Sequence, residues 1–194
     1  MSRKLTTRGK DRRRQLMTEA TRLFAEHGFH PTSVSDIVTS VGVGKGVFYW
    51  YFSGKEELLE QLLEASQLDL RRTQHGAIGD EPDPMQRIEL GIRASMAWCH
   101  DHRDSLTLVQ FAATEARFAP VLRAGQEVAV DDVARHLKEA IGSGQAADLD
   151  PEVVAYAILG VVQQLARTFV LGRHTPVDEV ADAAVAFCMH GLMR

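Results

Sequence analysis

The stretch 42-GVGKGVFYWYF-52 sets a lysine between glycines and follows it with five consecutive aromatic residues. Two readings compete for it. A phosphate-cradling loop of the Walker type needs G-x-x-x-x-G-K-[ST] after a strand, with the hydroxyl reserved for magnesium. Here Thr39 stands five positions before Gly44, Gly46 follows Lys45, and the preceding segment has helical spacing, so the nucleotide reading fails three times. The other reading makes Gly42 the left-handed residue that ends one helix, with Val43 and Gly44 turning the chain into a second, short one. In that helix Phe48, Tyr51 and Phe52 share one side at i, i+3 and i+4, while Lys45, Gly46, Val47, Tyr49 and Trp50 are left facing outward. Large exposed aromatics with almost no charge around them are costly unless a partner covers them.

Apolar spacing on either side is helical throughout. Leu16, Ala20, Leu23 and Phe24 mark one helix, and Val34, Ile37, Val38 and Val41 the next. Leu58, Leu59, Leu62 and Leu63 continue the period in a helix expected from Lys55 to Arg72, and Ile88, Ile92 and Cys99 mark another that begins at Pro84. Further helices are expected over 105–116, 120–141, 151–171 and 177–192. Asp83-Pro84, Asp150-Pro151 and Thr175-Pro176 each pair a capping side chain with a proline suited to the first helical turn. Ser33…Asp36 and Ser53…Glu56 have capping-box spacing. The stretches 75-HGAIGDEPD-83 and 142-GSGQAADLD-150 read as flexible connections. The fold class is therefore all-α, with about nine helices.

The formal charge of −4 hides an asymmetry. Residues 1–55 hold ten Lys/Arg against four Asp/Glu, and the remainder twelve against twenty-two. A basic head on an acidic body suggests that the head meets a polyanion. No apolar run approaches the ~20 uncharged residues of a membrane span, and 11-DRRRQ-15 replaces the apolar region of a signal peptide, so a cytoplasmic protein without a membrane partner is expected. Cys99 and Cys188 are too few for a disulfide framework.

Two helices joined by a tight glycine turn, braced by a preceding helix and carrying a basic head, describe a helix-turn-helix module. The runs 20-ATRLFAEHGFHPT-32 and 32-TSVSDIVTSVGVGKGVFYWYFSGKEELL-59 resemble the N-terminal DNA-binding domain of the TetR family of transcriptional regulators. The resemblance implies a helix-turn-helix domain over 1–54 and a helical effector-binding and dimerisation domain over 55–194. It implies DNA contacts from Thr32 and Ser33 at the start of the second helix, from Gly44, Lys45, Gly46, Val47, Tyr49 and Trp50 around the recognition helix, and from Lys55. The arm 3-RKLTTRGKDRRR-14 would add phosphate contacts and lack order without DNA. Gly44 stands where the family usually has serine or threonine, and Trp50 where histidine is common, so base readout leans toward apolar contact with thymine methyls.

Helices apolar around much of their circumference must be covered on two sides. For 151–171 and 177–192 that suggests a homodimer joined through Val154, Ile158, Val161, Val162, Leu165, Phe169, Val180, Ala184, Phe187 and Cys188, which the resemblance also implies. An operator with two-fold pseudo-symmetry follows from a two-fold protein. The resemblance further implies a small, largely apolar effector that releases a repressor from DNA. Leu62, Met96, Trp98, Phe111 and Phe118 are its candidate walls, with Gln110, Gln163 and Arg167 to orient it. A regulator controlled only by its abundance is the alternative.

Other chemistries are poorly supported. Cys99, His100 and His102 in 98-WCHDHRD-104 fall short of the four ligands zinc prefers. Glu115, Arg117 and His136 form no recognisable set of nucleophile, base and oxyanion donor. No enzyme activity, metal or cofactor is expected.

Overall fold

The computed structural model describes residues 6–192. Among them every element is helical: α1 (Thr7–His27), α2 (Val34–Val41), α3 (Lys45–Tyr51), α4 (Lys55–Ile78), α5 (Pro84–Asp101), α6 (Arg103–Ala112), a 3-10 turn (Ala116–Phe118), α7 (Ala119–Gly142), α8 (Pro151–Leu165), a π-helical extension (Ala166–Gly172) and α9 (Val177–Leu192). The all-α expectation is met, and most helix starts are set by the side chains that the sequence offered. Asp83 accepts from the Met85 amide at 2.9 Å, and Asp150 from Glu152 and Val153 at 2.9 and 3.3 Å. These bonds satisfy amides that a helix N-terminus leaves without partners.

Three local expectations are corrected. Gly76 does not stop α4, which runs on to Ile78 and ends at Gly79, a residue with φ of 51°. Ser53 pairs with Glu57 rather than Glu56: its amide and hydroxyl both donate to the Glu57 carboxylate, at 2.7 and 2.6 Å. The basic residues from Arg8 to Arg14 belong to α1, capped by Thr6, whose hydroxyl accepts from the Gly9 amide at 3.2 Å. Only residues 3–5 of the expected arm lie outside the described residues.

The described chain divides into two compact units. One holds residues up to Ser66 together with Asp104–Leu122, and the other Gln67–Arg103 with the residues from Arg123 on. The first unit thus extends past residue 54, taking in the first half of α4, α6 and the 3-10 turn. Its core joins Leu16, Ala20, Leu23 and Phe24 of α1 to Ile37 and Val38 of α2, Phe48 and Phe52, and Leu58, Leu59, Leu62 and Leu63 of α4, with Leu108, Ala112 and Phe118 completing it.

In the second unit Arg71 meets Asp132 in a two-pronged contact at 2.6 and 3.0 Å. It joins α4 to α7. At Gly125 of α7 the amide end of the Gln67 side chain occupies the space beside the backbone, 2.1 Å from where a Cβ would stand. Arg93 reaches Asp182 at 2.6 Å and ties α5 to α9. Pro151–Gly172 is, by length and composition, long and apolar enough to cross a membrane, with a mean hydropathy of 1.5 in a window that is only 22% buried. Arg167 interrupts the run of uncharged residues over 153–172, but a lone charge lowers mean hydropathy little.

Candidate nucleic-acid interface

The turn between α2 and α3 is built as its glycines require. Gly42 adopts φ 72° and ψ 38°, a left-handed conformation that L side chains rarely enter. Its amide bonds to Thr39 O at 3.1 Å and the Val43 amide to Val38 O at 2.9 Å, closing the end of α2. The chain then enters α3 at Gly44. Phe48 (0% exposed) and Phe52 (1%) anchor α3, their ring centres 5.4 Å apart. An α-helix anchored on one side in this way has its other side fixed: Gly44, Lys45, Gly46, Tyr49 and Trp50 are exposed. Val47 is the exception among the residues expected to face outward. It is half-buried and packs against the core.

Two of the expected phosphate contacts are spent inside the protein. Thr32 is 3% exposed, and its hydroxyl donates to Gly28 O at 2.8 Å, so it pins the α1–α2 turn instead of facing a ligand. The Lys55 ammonium donates to the carbonyls of Phe29, His30 and Thr32 at 2.8, 3.0 and 3.1 Å. Ser33 is exposed but engaged. Its hydroxyl donates to Asp36 at 2.7 Å and accepts the Asp36 amide at 3.2 Å, a closed capping box. The same contacts hold the Asp36 carboxyl below the usual carboxylate range, first through the Ser33 hydroxyl and then through its amide.

Arg12 and Arg14 of the expected basic arm share a groove with residues that the sequence does not mark for DNA. Arg12, Arg14, Gln15 and Thr18 of α1 and Ser40 and Val41 of α2 line an open groove of about 350 Å³, with Glu19 its acidic member. The basic count of the head was visible in the sequence. Its helical placement beside the end of α2 was not, because that depends on where α1 begins.

The sequence pattern described as bacterial regulatory proteins, tetR family, matches residues 16–62, and that of the tetracyclin repressor-like C-terminal domain matches 81–192. The chain belongs to the TetR family. It is a helix-turn-helix transcriptional regulator. Among its relatives, the HTH-type regulator YdgC of Bacillus subtilis is 23% identical over 97% of this chain and 96% of its own. The HTH-type repressor KstR2 of Mycobacterium tuberculosis is 28% identical over 56% of this chain and 54% of its own. A TetR-family regulator from Syntrophomonas wolfei superposes with a TM-score of 0.81 at 23% identity, covering 92% of this chain and 93% of that one.

The residues named for an effector divide between the two units of this TetR-family chain. Leu62 and Phe118 lie in the first core, and Phe111 stacks on Phe29 with centres 5.2 Å apart. The Gln110 amide nitrogen is buried. In the second unit Met96 is fully buried and Trp98 5% exposed, the indole nitrogen donating to Asp69 at 2.8 Å. Gln163 and Arg167 are exposed, and Arg167 bonds to Gln164 at 2.8 Å.

The dimer candidates also separate by burial. Ile158, Val180, Ala184 and Cys188 are core residues of the protomer. Val154, Val161, Val162, Leu165 and Phe169 are half-buried, and Phe187 is 69% exposed. The outward side of α8 and α9 is instead Val153, Tyr156, Ala157, Gly160, Ala183 and Phe187.

The histidines and cysteine of 98–104 are used locally. His102 stacks on Trp98 at 4.5 Å, His100 Nδ1 accepts from Arg103 at 3.2 Å, and burial pushes the Cys99 thiol up to about 11. Glu115 meets His30 at 3.1 Å and Arg117 meets Glu56 at 3.4 Å, while burial holds the His136 imidazole below its ordinary value.

Proposed function

We propose that this regulator is a repressor that binds a pseudo-palindromic operator as a homodimer and acts in the cytoplasm, where that DNA lies. The observation that carries the reading is α3, whose inner rings are locked in the core while Lys45, Tyr49 and Trp50 stand outside with no charge but the lysine. Lys45 and the basic side of α1 neutralise phosphates and supply affinity, whereas the exposed Gly46 and Trp50 supply sequence preference. Relatives named as repressors, KstR2 and the probable acrEF/envCD operon repressor of Escherichia coli, support the sign of regulation. The functional boundary lies at 54/55, with DNA contact before it and regulation after it.

The second copy sits on the outward face of α8 and α9. Val153 (64% exposed), Tyr156 (42%) and Phe187 (69%) are large apolar groups that water disfavours, and Ala157, Gly160 and Ala183 let a partner helix approach closely. Such a pairing sets two recognition helices about 34–36 Å apart, one turn of DNA. The protein turns over no substrate in this reading.

Release by a small apolar effector completes the proposal, through a shift between head spacings that match and do not match successive grooves. The alternative, control by abundance, is favoured by one observation: Met96, Trp98 and Phe118 are packed as ordinary core. Selection of bound duplexes from a random pool, repeated with extracted metabolites, tests both. A two-fold site lost on adding metabolites supports the full proposal. A site unaffected by any extract favours the alternative, and recovery of no duplex overturns both.

A further inference from the structure

The first turns of α1 stand clear of the core. The buried residues of that helix begin at Leu16, and every residue from Thr7 to Gln15 is exposed or half-buried. A helical end without a packed face is marginal in water and frays. The bonds of Arg12 to Gln15 and of Arg14 to Asp11 lie within the helix and tie it to nothing else. Arg13 turns inward instead. Its guanidinium donates to the Gln61 side-chain oxygen of α4 and lies 5.6 Å from the centre of the buried Phe52 ring. Gln61 is fixed in turn: its amide nitrogen donates to Glu57 at 2.9 Å, and Glu57 accepts from the Ser53 amide and hydroxyl. Flipping that amide would set its N–H groups against the guanidinium and lose both bonds.

We propose that Arg13 is a positioning residue for DNA binding: tethered to Gln61, it keeps the exposed turns of α1 helical, so that Arg12 and Arg14 are ordered before a duplex arrives. The inference rests on the reading of the basic side of α1 as a phosphate-binding surface. Successive residues of a helix are turned by about 100°, so an inward Arg13 places its two neighbours on the flanks. There Arg12 and Arg14 line the groove beside Ser40 and Val41. Side chains on a frayed segment still reach phosphates, but the entropy lost in ordering that segment is then subtracted from the affinity. Arg13 thus contributes to binding through order, and its own charge meets no phosphate.

The test uses the full chain and a duplex that it selects from a random pool. Gln61→Met keeps the length of the side chain and removes its acceptor. It speeds hydrogen exchange at the amides of residues 10–15, while those of the buried Leu23 and Phe24 stay protected. It binds the duplex about tenfold more weakly, the cost of ordering about one residue. Arg13→Met binds as weakly, and the double variant no more weakly than either, because each removes the same link. In all three the slope of log K against log salt equals that of wild type, although Arg13→Met has lost a charge. A slope lowered by about 0.9 in Arg13→Met assigns the residue to a phosphate and overturns the inference. A Gln61→Met protein that binds within twofold of wild type, or whose exchange at residues 10–15 is unchanged, overturns it too. Arg12→Gln and Arg14→Gln check the underlying reading, since each lowers the slope if that side chain meets a phosphate. If neither does, the reading of α1 fails and the inference with it. If they do while Gln61→Met binds as wild type, the inference alone fails.

Discussion

The Lys55 ammonium is bonded to the Phe29 carbonyl oxygen at 2.8 Å and stands 4.5 Å above the centre of the same residue's ring. With the His30 and Thr32 carbonyls it uses all three of its N–H donors, leaving none for a phosphate. Lys55 is therefore a clamp that ties the first residue of α4 to the α1–α2 turn. Lys55→Met should lower stability by about 1–3 kcal/mol, the loss of charge-assisted bonds to partly exposed carbonyls. In salt titrations of DNA binding, its slope should equal that of wild type. A slope reduced as by a lost phosphate contact would restore the role that the family resemblance implied.

Lys45 is the contrasting case. It is exposed at the start of α3. Lys45→Ala should weaken binding to every duplex and reduce the slope of log K against log salt by about 0.9. Trp50→Ala should change which sequences are recovered from a random pool. Equal losses on selected and random duplexes for both variants would contradict the division between affinity and readout.

The caps of α2 and α4 make the head sensitive to acid. Ser33 holds Asp36, and Ser53 holds Glu57, below the ordinary carboxylate range through hydroxyl and amide bonds. A depressed folded pKa means that the stabilisation is present above the unfolded value, about 4, and is lost as pH falls through the lower folded value. Ser33→Ala should lower the melting temperature by about 2–4 °C at neutral pH. The gap from wild type should narrow as pH falls through the acid range, because the Asp36 part of the box is then lost in both proteins. A gap that stayed constant down to the acid limit would show that the carboxylate takes no part.

Helix existence and most helix starts were legible because they depend on local groups: apolar residues three and four apart, and an Asp or Ser beside the amides it caps. The last turn of α4, past Arg72, was not legible, because the pattern from Gly76 on reads as a connection although one glycine costs a helix little. The internal bonds of Thr32 and Lys55 were not legible, because nothing local shows that a hydroxyl will turn to Gly28 O or that a carbonyl 26 residues away will capture an ammonium. The inward side of α3 was legible from its ring spacing. The inward side of α8 was not, since Val153, Val154, Ile158, Val161 and Val162 spread apolar groups around the axis, and only the folded protomer separates buried Ile158 from exposed Val153. The π-helical turn at Ala166–Gly172 has no counterpart in the sequence pattern.

That separation carries the last prediction. If the partner copy packs on the outward face, a charge placed there must be buried without a counter-ion on association, whereas in the monomer it stays in water. Phe187→Glu should therefore leave the helical content of the protomer intact and shift the sedimenting mass from about twice 21.5 kDa to 21.5 kDa at micromolar concentration. Ala184→Glu should unfold the chain instead, because Ala184 is fully buried in the protomer. A Phe187→Glu protein that still sediments as a dimer would move the interface elsewhere. With two heads no longer joined, the same variant should bind one half-site with a salt slope about half that of the wild-type dimer.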